Sequence, residues 1–204
     1  DFVAIAFTDH TFRFCGLNLT TAYVSSNGRV TFGTGSIRST PSASAHGLDD
    51  AIAGYWTDLD PRAGGTISWM ELDDAVLVRF EDVPRFGTTD GVSFTIAMLA
   101  DGTATVDVDA APAAVALTGW SCGTGRTTSL DLSVEMDTYP DSAAGLGQGT
   151  EGAVYELWDG VSTLTDVEGL ALRFCATTGT DADNDGWSDN CGDPDDTAVT
   201  ITPR

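Results

Sequence analysis

The strongest chemical signal in this sequence is an acidic run near its end, DADNDGWSDNCGDPDD, which places seven aspartates within the sixteen residues 181–196. The first acids alternate with other residues and precede a glycine, which is the spacing that wraps oxygen ligands around a hard cation. An all-oxygen ligand set selects Ca²⁺ over zinc or copper. The candidate ligands are Asp181, Asp183, Asp185, the backbone carbonyl of Trp187, Asp189, Asp193, Asp195 and Asp196.

This run differs from an EF-hand loop, because position twelve is Gly192 instead of glutamate and no helical pattern flanks it. With seven carboxylates it could hold two ions, and the alternative is a solvated acidic linker. A catalytic metal needs an open coordination position beside a substrate pocket, and nothing around the run indicates either. We therefore interpret it as a calcium clasp that stiffens the connection to the residues after it.

Other patterns that could carry chemistry lack their partners. Ser121 lies in a G-x-S-x-G sequence, but a nucleophile elbow needs a following helix and a later histidine, and both histidines, His10 and His46, precede it. Trp56, Asp58 and Asp60 could form a second metal or sugar site; a core tryptophan with acids that bind turn amides is the favoured interpretation. We expect no enzymatic activity.

The charge balance restricts the partners. The chain has 31 acids and nine bases, a formal net charge of −22, and every base is arginine. Nucleic acids and anionic membranes need a positive face, so neither is expected as a partner. No stretch approaches the ~20 continuous apolar residues of a membrane span. A divalent-cation-rich medium suits such a surface, and a halophilic origin would also produce it.

Four cysteines, Cys15, Cys122, Cys175 and Cys191, indicate two disulfides in an oxidising compartment. Three connectivities are open; the position of Cys175 and Cys191 on either side of most of the acidic run favours their pairing, which leaves Cys15 with Cys122. Four buried thiols are the alternative. The start at Asp1 fits a mature secreted protein, and Asn18 begins a glycosylation acceptor pattern. We expect an extracellular or cell-surface location.

Strand signals dominate the rest of the chain. Residues 23–32 alternate around Asn27-Gly28, the dipeptide typical of a tight hairpin turn. Two further hairpins are predicted, over 66–70 with 75–81 and over 92–99 with 103–108. Later strands are predicted at 114–117, 130–135, 153–157 and 170–175, and short helical turns around 42–46 and 141–145. The pattern predicts an all-β, jelly-roll-like β-sandwich over residues 1–176, then a linker, calcium loop and tail strand over 177–204.

Both ends of the chain carry β-prone segments. Residues 1–7 are apolar on both faces, which predicts either an inner strand of this domain or a donor strand that completes the sheet of another subunit. Residues 197–204 alternate around Val199 and Ile201 and need an edge with which to pair.

Two parts of the sequence resemble known families. Residues 181–186 resemble one unit of the thrombospondin type 3 calcium repeat. With Asp195-Asp196-Thr197 and Ile201-Thr202-Pro203 they resemble more closely the MopE-like metal-binding motif of secreted bacterial proteins. The motif departs from that pattern at Asn184 and occurs once, which argues against a rod of many repeats.

Residues 23–33 and 52–61, YVSSNGRVTFG and IAGYWTDLDP, resemble the nidogen-like modules of secreted bacterial proteins, with looser similarity to residue 176. The resemblance implies an extracellular adhesive or structural module and brings no catalytic residues. The combined expectation is a non-enzymatic, calcium-binding structural protein whose partners are other copies of itself, joined by strand exchange into a filament or other assembly. The alternative is a monomeric adhesion or carbohydrate-binding module that binds surface glycans.

Overall fold

The computed structural model describes residues 1–133, 137–138, 152–161 and 165–174. Within these ranges the chain forms fifteen strands and one short helix. In chain order they are β1 (Phe2–Ala6), β2 (Phe12–Phe14), β3 (Leu17–Leu19), β4 (Thr21–Ser25), β5 (Arg29–Thr31), α1 (Ala43–Leu48), β6 (Asp50–Trp56), β7 (Thr66–Glu71), β8 (Ala75–Pro84), β9 (Gly91–Leu99), β10 (Ala104–Ala110), β11 (Val115–Cys122), β12 (Thr127–Ser129), β13 (Asp137–Thr138), β14 (Ala153–Asp159) and β15 (Ala171–Phe174).

Two large sheets form the predicted all-β sandwich. The seven-stranded sheet has the order β1-β4-β5-β6-β11-β14-β12, and the six-stranded sheet has the order β13-β15-β10-β9-β8-β7. Strands β2 and β3 form a small third sheet. The sheets pack closely at their centres, because Gly54 of β6 has no side chain and the ring of Phe94 on β9 lies where a Cβ would be.

The three predicted hairpins are confirmed. Strands β4 and β5 pair antiparallel around the turn at Asn27 and Gly28, β7 pairs with β8, and β9 pairs with β10. The helical turn predicted near residue 42 is α1, which Ser42 caps by accepting a hydrogen bond from the backbone N–H of Ala45. The strand predicted at 130–135 is wrong where the structure describes it, since residues 130–133 lie outside any strand.

Strand β6 is covered on both faces. Its residues from Ala51 to Trp56 are all buried. On the side facing the other sheet, Ile52 joins the main core; on the opposite side, Ala53 and Trp56 pack with Leu117 and with Ala45 of α1. The short helix therefore covers the outer face of the seven-stranded sheet, and β6 occupies the inner position that the apolar sequence 1–7 led us to consider for the first strand.

The first strand instead lies at a sheet edge. Strand β1 pairs with β4 alone among the described strands, and four of its five residues are exposed. The prediction of an inner strand is therefore wrong for these residues. The sequence is apolar on both faces, but only Ile5 is buried within the strand. The exposed apolar residues of the strand, Phe2, Val3, Ala4 and Ala6, would be buried only if another segment or molecule covered this edge.

One disulfide is formed by described cysteines. Cys15, in the turn between β2 and β3, bonds to Cys122 at the end of β11, with their Cα atoms 5.6 Å apart. This confirms the predicted pairing of Cys15 with Cys122. Beside it, the ring of Phe14 stacks on Trp120 with centroids 4.3 Å apart, so the small sheet is held on the core by aromatic packing as well as by the covalent bond. No helix in the described residues has the length and apolarity that a membrane crossing requires.

Candidate functional site

The predicted calcium ligands fall outside the described residues. This applies to the whole run from Asp181 to Asp196 and to Cys175 and Cys191, so the calcium loop and the second disulfide stay predictions. Asn18, the glycosylation candidate, lies exposed on β3. The tail around Val199 and Ile201 also lies outside the described ranges.

Trp56, Asp58 and Asp60 do not converge on a shared site. Trp56 is fully buried, and its indole N–H donates to the carbonyl of Arg38 at 3.0 Å. Asp60 accepts hydrogen bonds from the backbone and side chain of Arg62, while the Asp58 side chain is exposed. The interpretation of a core tryptophan, with Asp60 binding a turn amide, matches this geometry.

The candidate nucleophile and bases are also placed in the structure. Ser121 lies within β11 and is fully buried, so the strand-turn-helix geometry of a nucleophile elbow is absent at this serine. His46 lies on α1 and is fully buried. Burial, reinforced by the positive charge of Arg29, lowers the pKa of His46 to about 3. His46 is therefore neutral at physiological pH.

The hairpin turn carries a buried cation that the sequence did not reveal. The guanidinium of Arg29 lies 4.0 Å from the centre of the Trp56 ring, and its Nη2 is 3.0 Å from a carboxylate oxygen of Asp49. The Arg29 side chain is fully buried, so its burial lowers its pKa while Asp49 opposes that change. Asp49 therefore compensates a charge inside the protein.

Three carboxylates could hold a metal ion. Oxygens of Asp131, Glu156 and Asp166 lie within 4.8 Å of one another. Burial raises the pKa of Glu156, and the nearby charges of Asp166 and Asp131 act in the same direction, although the backbone N–H of Leu132 donates to it at 2.7 Å. The three acids come from separate parts of the chain, and therefore no spacing in the sequence could have indicated the group.

A groove lies between β1 and β7, the edge strands on one side of the two sheets. It has a volume of about 460 Å³ and is lined mainly by apolar side chains. Val3 pairs with Val24 on the neighbouring strand of its sheet, and Trp69 pairs with Val78 on the neighbouring strand of the other sheet. Paired residues point to the same face, and because Val24 and Val78 are buried, Val3 and Trp69 occupy positions that face the core. Yet Val3 is 64% exposed and Trp69 is 45% exposed. Within the part of the chain that the structure describes, nothing covers the core along this side.

The other end of the same side is closed by Glu71, the last residue of β7. Its carboxylate accepts hydrogen bonds from the backbone N–H groups of Thr8, Asp9 and His10, at 3.0 to 3.1 Å, and from the Thr8 hydroxyl at 2.8 Å. The segment that follows β1 is thus held against the end of β7. We call this arrangement the Glu71 clamp.

The clamp is also electrostatic. The Thr8 and Asp9 N–H groups, with smaller contributions from the Thr8 hydroxyl and from His10, lower the pKa of Glu71 to about 2. His10 Nδ1 lies 3.1 Å from the Glu71 carboxylate. A hydrogen bond with the backbone of Asp73 and the interaction with Glu71 raise the pKa of His10. The Glu71 carboxylate is therefore ionised at physiological pH and can accept all of these hydrogen bonds.

Comparison with known proteins gives one match. A family model described as NIDO related matches residues 2–71, the part of the chain that extends from β1 to the end of β7 and includes Arg29, Trp56 and Glu71. No curated protein and no solved structure matches the chain. The match supports a nidogen-like module in this first third of the chain, and together with the Cys15–Cys122 disulfide it indicates a protein of extracellular type.

Proposed function

We propose that this protein is a non-enzymatic, calcium-binding structural subunit of an extracellular assembly, joined to its neighbours by β-strand exchange. The observation that carries the proposal is the uncovered side of the sandwich, where Val3 and Trp69 face the core and remain exposed. A nidogen-like module with a disulfide is compatible with such a location.

Among the described residues of these two edges, one feature that keeps monomeric sheets apart is present, the inward-facing charge of Glu71 at the end of β7. Natural edge strands are commonly protected by lysine, proline, bulges or inward-pointing charges. Strand β1 has the sequence FVAIA without any charge, and the single charge in β7, TISWME, is Glu71 in the clamp. Two terminal strands with exposed apolar side chains on the same side favour the addition of a strand from another chain.

In this proposal, association of the copies depends on bound calcium. Packed copies that each carry a net charge of −22 repel one another. Bound divalent ions in the run 181–196 would reduce that repulsion and would order the connection between the sandwich and the tail. The proposal therefore makes calcium a structural requirement for association.

A second candidate function, a monomeric carbohydrate-binding module, is favoured by Phe2 and Trp69, two partly exposed aromatic residues that line the groove together. Sugar sites combine aromatic faces with several polar groups that bind hydroxyls. The lining of the groove is predominantly apolar, and it suits an apolar strand better than a glycan. A glycan array with the calcium-loaded protein tests this candidate.

Size-exclusion chromatography with light scattering tests assembly directly. The full chain is compared in Ca²⁺, in Mg²⁺ and in EDTA at one ionic strength. We expect species larger than a monomer in Ca²⁺ and their loss in EDTA, with Mg²⁺ as the control for simple charge screening. A monomer under all three conditions would contradict the proposal.

A further inference from the structure

We propose that the groove between β1 and β7 accepts residues 197–202 of a neighbouring copy as an additional strand. The inference rests on the proposed assembly and names the contact that makes it. The groove itself belongs to the described structure, and the occupant is a part of this chain that lies outside the described residues.

The groove has the length and the closure that a short strand needs. Strands β1 and β7 both end at the Glu71 clamp, because β1 leads into Thr8 and β7 finishes at Glu71. At the opposite end, Asp1 and Gly65 line the groove. Six residues of extended chain span about 20 Å, which is close to the length of the five-residue β1 plus one position.

The apolar lining of the groove indicates which segment of the chain can occupy it. A strand laid there would direct every second side chain toward Val3, Ile5, Ile67 and Trp69. In the sequence TAVTITP, Val199 and Ile201 are apolar, β-branched and two positions apart, and residues 197–203 carry no charge although they follow seven aspartates in sixteen residues. No other stretch after residue 174 combines these properties.

The chain before the tail is long enough to reach another molecule. Strand β15 ends at Phe174, four strand positions from β7 in the six-stranded sheet, about 19 Å away at the usual strand spacing. Residues 175–196 separate Phe174 from the tail, and with the predicted Cys175–Cys191 disulfide closed the path through the bridge still extends to about 25 Å. The proposed assembly requires a contact from one copy to the next, so we assign the occupant to the neighbouring copy.

The first test uses a labelled peptide of residues 196–204, DTAVTITPR, and the full chain with Val199→Asp and Ile201→Asp, whose own tail can no longer fill the groove. We expect saturable binding by fluorescence anisotropy. Adding Val3→Arg should weaken it by about tenfold or more, because a charge would have to be buried in an apolar groove. Val161→Arg, at an apolar position that is 86% exposed and does not line the groove, is the matched control and should leave binding unchanged.

The second test measures association of the full chain in Ca²⁺ by light scattering. Val199→Asp with Ile201→Asp should abolish the large species of the unmodified chain, while Thr200→Asp, on the opposite face of the tail, should retain them. Association that persists in the double variant, or a peptide that binds equally well to the Val3→Arg protein, overturns the inference while the proposed assembly stands.

A photocrosslinking residue at position 201 identifies the source of the strand. Isotopically heavy and light copies are mixed and irradiated, and the crosslinked peptides are analysed by mass spectrometry. Crosslinks from a heavy tail to light β1 or β7 support insertion from a neighbour. Crosslinks only within one copy overturn the assignment to a second copy, and so does a protein that binds the peptide but remains a monomer. A protein that remains a monomer, does not bind the peptide and binds glycans overturns both the inference and the proposed assembly.

Discussion

Arg29 is the residue whose environment departs furthest from what its type leads one to expect. It follows the hairpin turn, where an arginine is normally solvated, yet its side chain is fully buried against the Trp56 ring and beside Asp49. A buried charge is tolerated when it is paired, and removing its partner is far more costly than removing a surface partner. Asp49 therefore matters for stability more than the other acids of the surface.

Replacing Asp49 by alanine should lower the free energy of unfolding by about 3 kcal/mol, because Arg29 would remain buried without a carboxylate. Arg38 also contacts Asp49, at 3.3 Å, but its side chain is 51% exposed. Arg38→Ala is therefore the control and should change stability by less than about 1 kcal/mol. Urea unfolding followed by tryptophan fluorescence measures both, and equal losses would contradict this account of Arg29.

The Glu71 clamp predicts a specific pH dependence. The pKa of Glu71 is lowered to about 2 from 4.5, so its contribution to stability is complete above pH 4.5 and is lost as the pH falls through about 2. The pKa of His10 is raised above 6.5, so the contribution of its charged form is present below pH 6.5 and is lost as the pH rises through the raised value.

Glu71→Gln should therefore lower the melting temperature near pH 5 to 6. It should also make stability depend less on pH, both below pH 4.5 and above pH 6.5. Glu81→Gln, which removes an exposed carboxylate on β8, is the matched control and should follow the unmodified protein. Melting curves from pH 2 to pH 8 make the comparison. A variant whose profile overlays that of the unmodified protein would rule out the clamp.

At the scale of elements, the β4–β5 turn is determined jointly by its own sequence and by β6. Gly28 has a positive φ of 84°, and a Cβ there would collide with the backbone carbonyl of Tyr55. Asn27 is buried as well; its side-chain oxygen accepts from the Leu59 N–H and its amide donates to the Arg38 carbonyl. The turn is therefore a packing element of the sandwich and not only a connection.

Gly28→Ala should consequently cost much more stability than Gly33→Ala. Both glycines have positive φ, and alanine in that conformation costs about 1–2 kcal/mol. At Gly33 no atom lies within 4 Å of the added Cβ, whereas at Gly28 the β6 backbone must move. Chemical unfolding of the two variants separates the conformational cost from the packing cost, and similar losses would show that β6 does not constrain the turn.

At the scale of the whole molecule, calcium is expected to act through the run 181–196 and not through the described acids. Ca²⁺ that binds the folded protein but not the unfolded chain raises the melting temperature. At a Ca²⁺ concentration one hundred times the dissociation constant, it adds about 2.7 kcal/mol to the free energy of unfolding. Replacing Asp181, Asp183 and Asp185 by asparagine should remove that response. Replacing Asp131 and Asp166 by asparagine is the control. A calcium response lost in the second variant and kept in the first would move the site to the Asp131, Glu156 and Asp166 group.

The sequence by itself determined the hairpins and the sandwich class, it favoured the pairing of Cys15 with Cys122 that the structure confirms, and it predicted a calcium loop that the described residues leave untested. Alternation of side chains and turn dipeptides are local properties, and for this reason strands such as β7 and β9 could be predicted from a few residues. Only the tertiary structure decided that β1 is an edge, that Asp49 neutralises Arg29, and that Glu71 closes one end of an apolar groove. These features depend on pairing between residues distant in the chain, and the alternation within one strand does not specify which strand will lie beside it or whether its apolar face will be covered.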